Sequence, residues 1–376
     1  MVKLAINGLP LLNPTVGVGV YTLRLIRGLV KSRRLPFVVL LPRSAEKAAA
    51  FIPSEAIVWV SGRAPFRQVI LQNLYWMHRI AAVATREYPQ AVFHSPGPFW
   101  SLLRPPHTVV TLHDCLYHYF PRYLGKWWVR KWMAYATERY AARADLVLTD
   151  SHCSARDLHR LAGVPESKIR VLYLWVEERF NRTEAQPKVS AMREHYQLPP
   201  RFFLYLGGYD YRKNVEMLLQ AYARAREAGP LPPLVLAGKI PRDLSQPVCD
   251  VYGAMQRAGL EEGVQVFLPG LIADEDLPTL YAGADLFLYP SLYEGFGLPP
   301  LEAWAVGTPF LVSQGSSLDE IVPDRSWQFS PTEVEALSLR LRHWSGPGEA
   351  LPPLGEEFYE AAAVARYEAL ILAELD

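Results

Sequence analysis

The chain has 376 residues, half of them hydrophobic and 20% charged. At roughly 150 residues per domain this is length for two domains with sizeable cores, and the composition excludes wholesale disorder, collagen-like repeats and disulfide-rich secreted scaffolds. Lys plus Arg number 39 against 38 Asp plus Glu, a net charge of +1, so there is no electrostatic footprint for bulk nucleic-acid binding and no nucleic-acid partner is expected.

The first residues, MVKLAINGLPLLNP, hold a short apolar run broken by Gly8 and Pro10. They read as a first strand, Lys3–Asn7, and poorly as a signal peptide. Further strands are expected at Phe37–Leu41, Ile57–Val60, Ala91–His94, Val109–Leu112, Leu146–Thr149 and Ile169–Leu172. Helices are expected near Val20–Val30, Phe66–Arg86, Lys126–Arg143 and Ser154–Leu161. Alternating β and α elements with continuous apolar strands imply a parallel sheet covered on both faces. Proline and charge then accumulate over Glu177–Pro200, which reads as a linker. The pattern restarts with strands at Phe202–Leu206, Leu234–Ala237, Val264–Leu268, Leu286–Tyr289 and Phe310–Val312. Helices are expected at Val215–Arg226, Val248–Ala258, Asp274–Tyr281 and Pro299–Val306. A Gly/Pro-rich connector, Ser345–Leu354, precedes a last helix, Glu356–Leu375. The fold class is therefore α/β, two doubly wound domains in tandem: residues 1–180 and 181–355. No run approaches the ~20 apolar residues of a membrane span. Cys115, Cys153 and Cys249 are odd in number and lack C-x-x-C spacing, which predicts free thiols, a reducing compartment and no metal centre. A cytoplasmic protein is expected, at most peripheral to a membrane.

Ligands of open α/β sheets bind beyond the carboxyl ends of the strands, so the chemistry is sought there. The segment Asp285-Leu-Phe-Leu-Tyr-Pro-Ser-Leu-Tyr-Glu-Gly-Phe-Gly-Leu-Pro-Pro-Leu-Glu302 runs from a strand through a glycine loop into a helix. Amides of Gly295, Phe296, Gly297 and Leu298 at a helix N-terminus favour an anion. Glu294 and Glu302 add carboxylates suited to sugar hydroxyls, although a plain capped helix start fits the spacing equally well. In Phe202-Phe-Leu-Tyr-Leu-Gly-Gly-Tyr-Asp-Tyr-Arg-Lys-Asn214, Arg212 and Lys213 stand at a helix start, where cations can neutralise a diphosphate or simply face solvent. Gly238 ends the following strand. Near the N-terminus, Gly17 and Gly19 lie in a strand-to-helix loop, but Thr22 occupies the third glycine position of a dinucleotide fingerprint, so a nicotinamide oxidoreductase is disfavoured. His113 and Asp114 end another strand. Ser151 is placed as an N-cap, and His152 carries no expected role.

These motifs together resemble retaining glycosyltransferases of family four. Glu294 and Glu302 with seven residues between them, Ala303-Trp-Ala-Val-Gly-Thr-Pro309 and Ser316-Ser-Leu-Asp-Glu-Ile321 carry the resemblance. It implies the GT-B fold, two facing Rossmann-like domains with an interdomain cleft, and a final helix 356–376 that packs back on the N-terminal domain. The N-terminal domain would bind the acceptor and the C-terminal domain a nucleotide-diphosphate sugar. The resemblance places Glu302 on the nucleotide ribose and Glu294 on the transferred sugar. Arg212 and Lys213 fall on the diphosphate. His113 falls beside the sugar, and Gly17, Gly19 and Gly238 on the donor side. Asp114 is an orienting neighbour or an acceptor contact. Two positions depart from the pattern: Gly208 stands where many members carry Arg, and Trp175 where a glycine is usual, near the cleft floor or acceptor pocket. The activity implied is hexose transfer with retention and without cofactor or metal. The donor is of GDP-mannose or UDP-glucose type, closest in surrounding sequence to mannosyl transferases of surface polysaccharide, and the acceptor is a glycan or lipid-linked glycan. A sugar phosphorylase on the same fold and a non-catalytic nucleotide-sugar-binding protein are the alternatives. Replacement of Glu294 by Gln is expected to spare the fold and lower turnover sharply. For Arg122–Trp132, rich in cations and tryptophan, three readings stay open: core packing through Trp128, Trp132 and Tyr135, an acceptor platform, or an interfacial helix meeting lipid.

Overall fold

A computed structural model describes residues 1–13, 17–65, 68–98, 101–120, 127–245, 247–344, 346 and 351–375. The chain divides into two compact units, Met1–Leu174 with Glu357–Asp376, and Trp175–Glu356.

The first unit holds strands β1 (Leu4–Asn7), β2 (Phe37–Pro42), β3 (Ile57–Val60), β4 (Val92–Ser95), β5 (Thr108–Thr111), β6 (Leu146–Thr149) and β7 (Ile169–Val171). They form one parallel sheet in the order β3-β2-β1-β4-β5-β6-β7. All four residues of β1, β4, β5 and β6 are buried, as continuous apolar strands covered on both faces require. The chain order reverses between β1 and β4, the switch point of a doubly wound sheet. Leu25, Ile26 and Leu29 of the helix Gly17–Ser32 and Ile80, Ala81 and Ala84 of the helix Val69–Glu87 are buried. Ser151 caps the helix His152–Ala162 as expected, its hydroxyl accepting from the Ser154 amide at 2.9 Å.

The second unit repeats the plan with β8 (Phe203–Leu206), β9 (Leu234–Ala237), β10 (Val266–Gly270), β11 (Leu286–Tyr289), β12 (Phe310–Ser313) and β13 (Gln328–Phe329), all parallel, in the order β10-β9-β8-β11-β12-β13. Here the order reverses between β8 and β11, whose registers pair Leu286 with Phe203 and Phe287 with Leu204. Strand β13 and the helix Val334–Arg342 escape the sequence pattern, because one is two residues long and the other begins on a polar stretch.

Glu177–Pro200 is not a linker. It folds into the short helices Arg182–Ala185 and Val189–His195, which pack on the helix Leu277–Gly283 of the second unit. Val189 and Met192 are buried, and Arg193 donates to the Gly283 carbonyl at 2.9 Å. Asn181 caps the first of these helices through its side chain, so the polar residues that suggest a connector serve as helix starts. Within 345–354, residues 345 and 347–350 lie outside the described residues.

The last helix, Glu360–Ala373, packs on Gly17–Ser32 in the first unit. A Cβ at Gly28 would come within 2.4 Å of Val364, so the missing side chain sets this close approach. Tyr367 is fully buried and its hydroxyl lies 2.7 Å from His94 Nδ1, while His94 Nε2 lies 2.8 Å from the Thr111 hydroxyl. Among the described residues no helix is long and apolar enough to cross a membrane, and the three cysteines form no disulfide.

Candidate functional site

At the switch point of the second unit, the loops after β8 and β11 meet. After β8 the chain turns through Gly207 and Gly208 into a single turn, Tyr211–Lys213. Asn214 follows at φ +57°, a left-handed position that Asn tolerates better than most residues. Its side-chain Nδ2 donates to the carbonyls of Pro290 at 3.1 Å and Pro331 at 2.8 Å, and the Leu292 backbone amide donates to the Arg212 carbonyl at 2.7 Å. These bonds tie the basic turn to the loops after β11 and β13.

Glu294 receives both cations. Arg212 Nη1 lies 2.6 Å from Glu294 Oε2 and Lys213 Nζ lies 2.7 Å from Glu294 Oε1. Arg212 also donates to the Tyr293 carbonyl at 2.9 Å and stands 3.6 Å from Asp210. Lys213 donates to the Tyr289 hydroxyl at 2.8 Å. Glu294 is 8% exposed. Burial pushes its carboxyl up, but Lys213 and Arg212 outweigh burial and hold it down at about 2. The Lys213 ammonium is pulled down, first by burial and further by Arg212, against the opposing pull of Glu294. The result is a charge cluster, preformed and almost dry, in which the carboxylate is ionised.

The Ser317 hydroxyl donates to the carbonyls of Glu294 at 2.9 Å and Phe296 at 2.5 Å, fixing the glycine loop from behind. Gly297 sits at φ +119° and opens the helix Leu298–Val306; a Cβ there would lie 2.5 Å from Leu318. Pro299 and Pro300 carry no N–H, so among the first four backbone positions only Gly297 and Leu298 offer donors at this helix start. Gly295 and Phe296 precede it in the same loop. Glu302, 6% exposed on that helix, accepts from the Tyr281 hydroxyl at 3.2 Å. Gly238 has φ +131°, and a Cβ would fall 2.2 Å from the Gly207 carbonyl oxygen. The turn after β9 therefore crosses the turn after β8 at backbone contact.

In the first unit, His113 follows β5. Its Nδ1 lies 2.7 Å from Asp150 Oδ2 and its Nε2 lies 3.1 Å from the Pro96 carbonyl, at the carboxyl ends of β6 and β4. Tyr21 meets its ring edge-on with centroids 4.8 Å apart. Gly17 begins the helix Gly17–Ser32, and at Gly19 a Cβ would lie 2.1 Å from the Asn13 carbonyl oxygen. Residues 14–16 of this loop lie outside the described residues. Asp114 turns toward the backbone, accepting from the Leu116 amide at 3.0 Å. Asp150 is the carboxylate that hydrogen-bonds the His113 ring.

Two expectations change. Trp175 is 2% exposed, so its indole leaves little face for a sugar. In the helix Trp127–Arg143, Trp132 is 43% and Tyr135 58% exposed, which removes core packing for those two; the Trp127 and Trp128 side chains lie outside the described residues. Sequence reasoning missed Asp150 and Tyr289 as partners. The available signal was that each stands at the carboxyl end of a strand. Among the described residues, no group of three or more His, Cys, Asp or Glu side chains is arranged to hold a metal ion.

Residues 191–352 match the family described as Glycosyl transferases group 1, and residues 15–180 match Glycosyltransferase Family 4. The chain is 31% identical to O-antigen chain mannosyltransferase B of Escherichia coli over 344 residues, 88% of this chain and 87% of that protein. It is 32% identical to the E. coli serotype-specific mannosyltransferase WbdA over 51% of this chain and 23% of that longer one. Among solved structures, the Anabaena protein HepE, in complex with UDP and glucose, superimposes with a TM-score of 0.66 at 17% identity, covering 100% of this chain and 96% of that one. Sucrose-phosphate synthase from Thermosynechococcus elongatus gives 0.67 at 19% identity, with 100% and 96% covered. With its two parallel-sheet units, its paired glutamates and these matches, the chain belongs to the family-four, group 1 glycosyltransferases of GT-B fold.

Proposed function

We propose that the protein moves a mannosyl unit from GDP-mannose to a glycan or lipid-linked glycan acceptor, with retention of configuration and without a metal. One observation carries this reading: a buried, ionised Glu294 held between Arg212 and Lys213 at the switch point of the second sheet. Such a cluster suits a ligand carrying both hydroxyls and a diphosphate. On this reading Glu294 accepts hydrogen bonds from the transferred sugar. Arg212, Lys213 and the amides of the Gly295–Leu298 loop stabilise the leaving diphosphate. Glu302 accepts from the ribose and His113 lies beside the sugar. Gly17, Gly19 and Gly238 allow close backbone approach. The acceptor oxygen bonds the anomeric carbon as the bond to the diphosphate oxygen breaks, and the acceptor proton passes to that departing phosphate, so no side-chain nucleophile is used.

The mannose donor is supported by relatives named as mannosyltransferases, including a GDP-mannose-dependent one from Mycobacterium tuberculosis that is 27% identical over 62% of this chain. UDP-glucose is the second reading, favoured by HepE, whose structure was solved with that donor. Thermal shift with GDP, UDP, ADP and NAD, on wild type and Glu302→Ala, separates them. A ligand at about 100 times its Kd adds about 2.7 kcal/mol to stability. A shift with GDP that Glu302→Ala loses is the expected result. A shift with UDP alone would replace the donor, and a shift with NAD alone would overturn the reading.

A further inference from the structure

His113 has two ring nitrogens and both face acceptors. Nδ1 meets a carboxylate oxygen of Asp150 at 2.7 Å, and Nε2 meets the backbone carbonyl of Pro96 at 3.1 Å. A neutral imidazole has one N–H, so it would leave one of these oxygens against a ring lone pair. Only the imidazolium donates to both. The site is largely dry: the His113 side chain is 18% and the Asp150 side chain 5% exposed. An unmade bond there carries a desolvation cost that solvent does not relieve.

We propose that Asp150 is a positioning residue that holds His113 in its doubly protonated form, so that a fixed cation, rather than a neutral ring, is presented to the transferred sugar. The proposal rests on the reading that His113 faces that sugar. Asp150 lies 37 residues from His113 in sequence and reaches it because β5 and β6 are paired neighbours, Thr111 beside Leu148. The Ser154 hydroxyl donates to the His113 carbonyl at 3.0 Å and fixes its backbone from the same side.

The groups around the ring agree on its charge. From the helix Gly17–Ser32 comes Tyr21, whose hydroxyl is pushed up, chiefly by burial, and stays neutral. From β4 comes His94, pushed down to about 3 by burial and then by His113, and so uncharged near neutrality. Asp114, the next residue, and Asp150 are the acids that act on the ring. Burial alone would lower the His113 pKa; the charge and hydrogen bond of Asp150, the Pro96 carbonyl and the charge of Asp114 together raise it above its ordinary value. The cation is therefore lost only as pH rises through a value above the ordinary one.

The test is NMR of the full chain with 15N-labelled histidine, the His113 signal being assigned by its loss in His113→Gln. In wild type, both ring nitrogens are expected to carry protons at pH 7, with a midpoint above the ordinary value of about 6.5. In Asp150→Asn that midpoint should fall by about one to three pH units. The alkaline limb of kcat, measured with GDP-mannose and a mannose-terminated glycan, should move to lower pH with it, and Asp150→Glu should restore part of the shift. A singly protonated wild-type ring at pH 7 overturns the proposal, even where Asp150→Asn does not fold. So does a midpoint unmoved in Asp150→Asn. A midpoint that moves while the kcat profile stays fixed leaves the hold of Asp150 on His113 standing. That outcome instead overturns the placement of His113 beside the sugar.

Discussion

Glu294 is the residue on which charge, stability and turnover converge, and the structure alters what its removal should do. Because both carboxylate oxygens are engaged by cations, Glu294→Gln leaves Arg212 and Lys213 crowded in a nearly dry site. Breaking such a pair costs on the order of 3 kcal/mol, so the variant is expected to fold with a lowered Tm rather than to be neutral. Its turnover should fall at least about hundredfold. In Glu294→Gln/Lys213→Met, with one of the stranded cations removed, stability should recover in part while turnover stays low. Urea unfolding and steady-state rates on the three proteins check this, and recovery of both together would mean that Glu294 acts only as a structural counter-ion. The pH dependence has a definite sign. The carboxyl titrates at about 2 when folded against 4.5 ordinarily. Its contribution is complete above 4.5 and is lost as pH falls from there toward 2. The Tm gap between wild type and Glu294→Gln should therefore be wide at pH 6 and narrow steadily below pH 4.5.

At the scale of elements, the glycine turns at the strand ends set how closely the loops of the second unit approach. Gly238→Ala puts a Cβ on the Gly207 carbonyl at 2.2 Å in a left-handed conformation, and neither backbone can yield without moving the end of β8. A loss of about 1–3 kcal/mol is expected, together with weaker nucleotide binding. Gly315→Ala is the control: it shares a positive φ but meets nothing within 4 Å, so it should bear the conformational cost without the change in binding, read by thermal shift. Most strands were legible because a strand buried on both faces must be continuously apolar, as Leu286–Tyr289 and Leu146–Thr149 are. The 177–200 segment was misread because its caps and prolines have the composition of a connector, while the few apolar residues that dock it, Val189 and Met192, are too sparse to show a period. Arg212, Lys213 and Glu294 were each legible in their own motifs. Their pairing was not, because it depends on β8 and β11 being neighbours, a fact of sheet order that no local window contains. The same applies to His113 and Asp150 across β5 and β6.

For the whole molecule, the notable feature is that the first unit is built from two separated stretches of chain, 1–174 and 357–376. Tyr367 shows how firmly the second stretch is engaged: Tyr367→Phe removes the hydroxyl beside His94 Nδ1 in a fully buried position. That should cost about 1–3 kcal/mol, measured by urea unfolding. The arrangement also dictates an order of events during synthesis. During synthesis the seven strands of the first unit precede the second unit, yet the slot lined by Gly28 and His94 stays unfilled while the whole second unit is made. The second unit, continuous in sequence, has every residue it needs before the first is complete. The first unit therefore carries an open seam until residues 357–376 emerge, and a stall or truncation ahead of residue 357 should yield a protein with a sound second unit and an aggregation-prone first one.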